Sequence, residues 1–153
     1  MNKKITHLIM VGLLLICVVV VVMSGCIEQG KKGSDLEVTN VKAIGVRISM
    51  PGAPGIEKIN VDAVKVNFTI KNAGNEPVTE KFYTEIYVYG TNKIKRVETT
   101  HLGPGASFTK SVTLTCPFAY LRTKPVIVIV DADNVISELN EENNEKTTVA
   151  VVV

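Results

Sequence analysis

Tryptophan is absent from the 153-residue chain, and histidine and cysteine are scarce. The two histidines, His7 and His101, stand far apart, and the first lies in an apolar leader, which removes most histidine-based acid–base chemistry. Cys116 is the only cysteine beyond Cys26, so no disulfide can form after the leader unless it uses Cys26. Of the 17 Lys and Arg, Lys3 and Lys4 precede the apolar stretch, and those after it equal the 15 Asp and Glu in number. The part beyond Cys26 is therefore formally neutral, and no net field draws it to nucleic acid or to an anionic surface. No nucleophile–base pair, metal-ligand spacing or phosphate-binding glycine loop stands out, so catalysis is not expected.

The amino terminus carries an address. Met1–Lys4 hold two positive charges, Leu8–Met23 hold none, and Ser24-Gly25-Cys26 come next. Lysines ahead of an apolar run keep the start of the chain in the cytoplasm and send the residues beyond the run across the bilayer. Residues 1–26 are thus expected to be a signal peptide or membrane anchor helix. Residues 27–34, polar and with two glycines, are expected to be a flexible tether. The remainder, 35–153, is then a domain outside the cell, held at the cell membrane.

That domain shows no helical periodicity. Short β-prone runs recur between turn signals, the pattern of an all-β sandwich. In Ala63–Lys71, Val64, Val66, Phe68 and Ile70 alternate with Lys65, Asn67, Thr69 and Lys71, which predicts one buried and one wet face. Leu36–Ile48 is expected to open the domain, with an interruption near Asn40. Met50–Asn60, containing Pro51, Gly52, Pro54 and Gly55, reads as a loop. Lys81–Tyr89 places Phe82, Thr84, Ile86 and Val88 on one face and Tyr83, Glu85, Tyr87 and Tyr89 on the other. Lys93–Val97 reads as a polar edge strand, Ser107–Leu114 as another half-buried strand, and Pro125–Val130 as a central one. Lys146–Val153 closes the set, with Val149–Val153 read as a core strand. Seven strands in this length give an immunoglobulin- or fibronectin-like β-sandwich. With few aromatics, its core rests on aliphatic residues and a few Phe.

Two sets of residues carry family resemblances. Met23-Ser24-Gly25-Cys26 resembles the lipobox of prokaryotic lipoproteins, with Met where Leu is usual, which implies lipidation at Cys26. Three later segments occur in order: Val66–Asn75 with its Asn72-Ala73-Gly74 turn, Leu102-Gly103-Pro104-Gly105-Ala106-Ser107, and Val130–Asn144 ending in Asn140-Glu141-Glu142-Asn143-Asn144. Together they resemble CARDB domains, the cell-adhesion-related domains of bacteria and archaea. The resemblance implies an immunoglobulin-like spacer or binding module on a surface protein, and it brings no catalytic residues. The family's aromatic after the Pro-Gly turn has Phe118 as its nearest counterpart here.

Candidate sites come from the residues themselves. Asp131–Glu145 holds six acids, four asparagines and no Lys or Arg. Such oxygen density suits a hard cation, and Asp131, Asp133, Glu138, Glu141, Asn143 and Asn144 are the candidate Ca²⁺ ligands. The same segment also reads as two turns, with Asp133-Asn134 reversing the chain and Asn140, Asn143 and Asn144 bonding backbone groups. Calcium is the one cofactor these residues suggest. Asn67-Phe68-Thr69 is a glycosylation sequon, with Asn67 facing outward from a strand. Tyr83, Tyr87 and Tyr89 form a stripe suited either to a surface protein or glycan partner, or to covering the sheet. Cys116 reads as a small buried residue. The expected function is a non-catalytic, membrane-anchored adhesion or binding module, with a calcium-dependent surface binding protein as the alternative.

Overall fold

The computed structural model describes residues 31–55, 57–92, 94–116 and 123–152. Seven strands occur in order: β1 Leu36–Pro51, β2 Lys58–Asn72, β3 Phe82–Val88, β4 Ile94–Thr99, β5 Ser107–Thr115, β6 Thr123–Ile129 and β7 Glu145–Val152. Among the described residues there is no helix, and none long and apolar enough to cross a membrane. The leader, Cys17, Cys26 and Phe118 lie outside the described residues.

Alternation builds the core. Val64, Val66, Phe68 and Ile70 of β2 join Phe82, Ile86 and Val88 of β3 and Val126 and Val128 of β6 in one buried cluster. Each large apolar side chain taken out of water contributes roughly 1.5–3 kcal/mol, so an aliphatic core suffices without tryptophan. Cys116 belongs to this cluster at 1% exposure. Its burial pushes the thiol pKa up, away from reactive thiolate.

Hydrogen bonding runs through a single order, β4-β3-β6-β7-β1-β2-β5. Neighbours are antiparallel except β1 and β7, which run parallel and share only Ile44↔Val151 and Gly45↔Val152. The end strands β4 and β5 approach one another. A register shift between Val38 and Asn40 is the interruption expected in the first strand. β4 is an edge strand, and β6 lies between β3 and β7.

Three expectations are corrected. The expected loop Met50–Asn60 is partly strand: β1 continues to Pro51 and β2 begins at Lys58, leaving only residues 52–57 as the connection. The Pro and Gly residues make a tight reversal, and Ile48↔Val61 and Met50↔Ile59 pair on either side of it. Tyr89 lies just past the end of β3, in a turn with Gly90 at positive φ. In β7, Ala150 is buried but Val149 and Val151 are about half exposed, so only one face of that strand meets the core.

Strand directions sort the loops. Residues 73–81, 100–106 and 130–144 gather at the end where the chain enters at Gly33, and the β1–β2 connection lies at the other end.

Candidate functional site

The incoming segment, residues 33–36, is gripped between two loops. On one side is the turn after β2. Asn72 is fully buried, and all of its side-chain capacity is committed. Its Oδ1 accepts the amides of Asp35 (3.1 Å) and Gly74 (3.0 Å), and its Nδ2 donates to the carbonyls of Glu76 (2.8 Å) and Leu102 (3.1 Å). The Ala73 amide donates to the Asp35 carbonyl, and the Asn75 and Glu76 amides donate to that of Gly33. Gly74 passes so close to the incoming segment that a Cβ there would strike the backbone of Gly33, Ser34 and Asp35. This is the physical content of the Asn-x-Gly motif: glycine permits the approach, and asparagine bonds it in place. Gly33 and Ser34, expected to end the tether, therefore belong to the domain.

The acidic loop closes the other side. Asp131, 4% exposed and with φ of 46°, accepts the amides of Val135 (3.2 Å) and Ile136 (2.8 Å). Asn134 is also at positive φ, so two turns aim 137–139 at the incoming segment. There the Leu139 amide donates to the Ser34 carbonyl (2.8 Å), and Ser34 Oγ donates to the Ser137 carbonyl (3.2 Å). Glu138 is the hub. Its Oε2 accepts the Leu36 amide and its Oε1 accepts Asn144 Nδ2 (3.0 Å). Asn144 Nδ2 also reaches Glu141 Oε2 (3.2 Å), and Glu141 Oε1 accepts the Glu138 amide (3.2 Å).

Burial pushes the Glu138 carboxyl up to about 7. The negative charges of Glu141 and Asp131 add to the rise, against the lowering effect of the Leu36 and Asn144 donors. Asn143 donates to Asp35 Oδ1 (2.8 Å). Among the described residues, Asn143 Oδ1 and Asn144 Oδ1 are buried with no hydrogen-bond partner.

Of the six candidate ligands, Glu138, Glu141 and Asn144 form one hydrogen-bonded group, and Asn143 sits beside it on Asp35. Asp131 is turned inward as a cap. Asp133 is turned outward to Arg96 Nη2 at 2.5 Å. Among the described residues, no group of three or more His, Cys, Asp or Glu is assembled around a common metal position. Asn140 bonds a backbone amide, that of Glu142, as the turn reading expects, but Asn143 and Asn144 depart from it: their side chains bond carboxylates, of Asp35 and of Glu138 and Glu141, rather than backbone groups. A shallow cavity of about 260 Å³ beside the clamp, lined by Ser34, Pro77, Val78, Glu80, Val135 and Ile136 among others, is smaller than most small-molecule sites.

The tyrosines divide. Tyr83 is engaged: its hydroxyl donates to Glu98 (2.8 Å), and its ring lies under the Arg96 guanidinium at 4.3 Å. Arg96 also pairs with Glu85 at 3.1 Å, so it joins β3, β4 and the acidic loop. The sequence places Arg96 near the tyrosines but gives no sign of this role. Tyr87 is half-buried between Ile94 and Ile127. Tyr89 is 65% exposed. Asn67 faces outward from β2, half-buried between Lys42 and Ser111.

The family model CARDB matches residues 48–148. Among solved structures, a CARDB domain from Pyrococcus furiosus, crystallised in complex with di-metal ions, superposes with a TM-score of 0.56 at 24% identity. That match covers 79% of this chain and 90% of the other. A domain from Methanosarcina acetivorans, of a protein provisionally named as a cell surface protein, gives a TM-score of 0.52 at 21% identity, covering 78% and 92%. These likenesses concern the fold. No curated protein matches the chain.

Proposed function

Because the chain belongs to the CARDB family of adhesion-related domains, we propose that it is a membrane-anchored, extracytoplasmic binding module without catalysis. The observation that carries this reading is the way the domain begins. Gly33, seven residues after Cys26 in the sequence, is already bonded to Asn75 and Glu76. A domain gripped so soon after an apolar leader is suited to stand directly on a membrane surface. Lipidation at Cys26 would supply the anchor, and an uncleaved leader helix would serve the same end. In this reading the continuous strand order would fold over as an immunoglobulin-like sandwich, in which β4-β3-β6-β7 would face β1-β2-β5. Its partners would be a surface protein or glycan, for which exposed Tyr89 and half-buried Tyr87 offer an aromatic contact. The test is Cys26→Ala: an unprocessed precursor is expected, and normal maturation contradicts the lipidation part of the reading.

A calcium-dependent version of this function has a specific observation behind it. Glu138 is a half-buried carboxyl with no cationic partner among the described residues, beside two buried asparagine oxygens that lack donors. A hard cation accepts oxygens of this kind, and the Pyrococcus furiosus domain was crystallised with di-metal ions. Glu138, Glu141, Asn143 and Asn144 would hold it. A ligand that binds only the native state raises stability. A higher melting temperature in millimolar Ca²⁺ than in chelator supports this version, and identical melts reject it.

A further inference from the structure

The outer face of the β1–β2 ribbon combines an apolar strip with unpaired lysines. Residues 46–51 and 58–62 pair with each other beyond the last β2–β5 pair, Ala63↔Thr115. Register puts Ile44, Val46, Ile48 and Met50 on one face with Val61 and Ile59, and Ile44, Met50 and Ile59 are exposed. Val151, opposite Ile44, and Val149 continue the strip onto β7, each about half exposed. Contiguous exposed apolar surface of this kind marks an interaction site.

Positive charge borders the strip on the side nearer the clamp. Lys65 stands directly opposite Ile44, and Lys42 lies on the same face two residues earlier in β1; both are exposed. Lys146 of β7 adds a third positive charge beside β1, its Nζ donating to the Thr39 carbonyl at 2.8 Å. Among the described residues none of these three lysines has a carboxylate partner, whereas Arg47 is paired with Asp62 and Lys71 with Glu37. No Asp or Glu shares this face from Asn40 to Met50, from Ile59 to Thr69, or from Thr109 to Thr115. The domain's formal neutrality is thus a sum of separated parts, since six acids are collected in Asp131–Glu145.

We infer that this face of the β1–β2 ribbon rests on the surface of an anionic phospholipid bilayer, with the apolar strip at the acyl boundary and Lys42 and Lys65 at the phosphates. The inference rests on the membrane-anchored reading above. Charge selects the occupant. A second copy of the chain would bring both sets of unpaired lysines into one contact, whereas an anionic lipid surface attracts unpaired lysines around an apolar patch. Lysine stems are themselves apolar and can lie along the strip while their ammonium groups stay among the headgroups. The chain enters β1 directly from the segment after Cys26, so no other strand intervenes before the one that carries this face.

The test reconstitutes the full chain in phosphatidylcholine vesicles with or without phosphatidylglycerol, with a photoreactive benzophenone amino acid in place of Ile59. Lipid adducts are expected in the vesicles containing phosphatidylglycerol, several-fold fewer in phosphatidylcholine alone, and few when the probe replaces Lys95, an exposed residue of β4. Added salt should lower the yield, because it screens the lysines. Lys42→Gln combined with Lys65→Gln, both at exposed positions, should reduce it to the phosphatidylcholine level. Equal yields in the two kinds of vesicle, or adducts to a second copy instead of lipid, would overturn the inference. A chain that floats with the vesicles but forms no Ile59-site lipid adduct overturns it while leaving the anchor reading intact. A chain that does not float with them overturns both.

Discussion

The Glu138 carboxylate accepts the backbone amide of Leu36, 102 residues earlier, and so fastens the acidic loop over the point where the chain enters the domain. The burial that makes this bond possible also makes the charge on Glu138 costly.

Stability should therefore depend on pH through Glu138. Its folded pKa, about 7, lies above the ordinary 4.5, so folding takes up a proton between those values. Its contribution is fullest below about pH 4.5 and is lost as pH rises through 7. Allowing for partial solvent screening, the change is on the order of 1–2 kcal/mol. With chelator present, the melting temperature should be higher at pH 5 than at pH 8, and Glu138→Gln should flatten that difference. A pH-independent melt in the parent chain would show that Glu138 stays charged without cost.

The other jaw of the clamp gives a second expectation. Gly74→Ala places a methyl group against the backbone of Gly33 and Asp35, and such overpacking costs about 1–3 kcal/mol. Asn72→Ala leaves the part-buried Asp35 amide without its acceptor and removes one of the two donors to the Leu102 carbonyl, at a further order of 1–3 kcal/mol for the amide left unpaired. Both variants should speed amide hydrogen exchange at residues 33–36 more than in β5. Exchange that rises equally everywhere would mean that the turn does not grip the incoming segment in particular.

Thr84 makes the opposite case. It is fully buried in β3, and among the described residues its hydroxyl has no hydrogen-bond partner. Replacing an unsatisfied buried hydroxyl with a methyl removes a desolvation cost of about 1–3 kcal/mol. Thr84→Val should raise the denaturation midpoint without altering the slope with denaturant. A lowered midpoint would show that the hydroxyl is satisfied in solution.

Most of the strands are legible in the sequence because they have one wet face. Val64 to Ile70 and Phe82 to Val88 alternate cleanly, and their alternation is the core. Asn40 marks the register shift in β1. The ribbon beyond Met50 is hidden because Pro51, Gly52, Pro54 and Gly55 outweigh two short pairing segments when read locally, while the pairing that extends them is tertiary. Val149 and Val151 mislead for the opposite reason: apolar residues at a strand's outer face look like core until the neighbouring layer is known.

The acidic loop is recognisable as turn-forming, and its turns are real, yet its main attachment is not legible. Glu138 meets Leu36, and Asn143 meets Asp35, across more than 100 residues. No local pattern encodes which of six acids turns inward. Asp133 and Glu138 look alike in the sequence, but one binds Arg96 at the surface and the other is half-buried against the incoming strand.

That the domain stands outside the cell on a membrane anchor is tested most directly by labelling intact cells with a membrane-impermeant amine reagent, followed by fractionation. Lys58, Lys95 and Lys110 are exposed on the domain and are ready targets. The expected result is full labelling before lysis, with the labelled protein in the membrane pellet and released only by detergent. Labelling that appears only after lysis, or labelled protein that leaves the membranes in a salt wash, would contradict it.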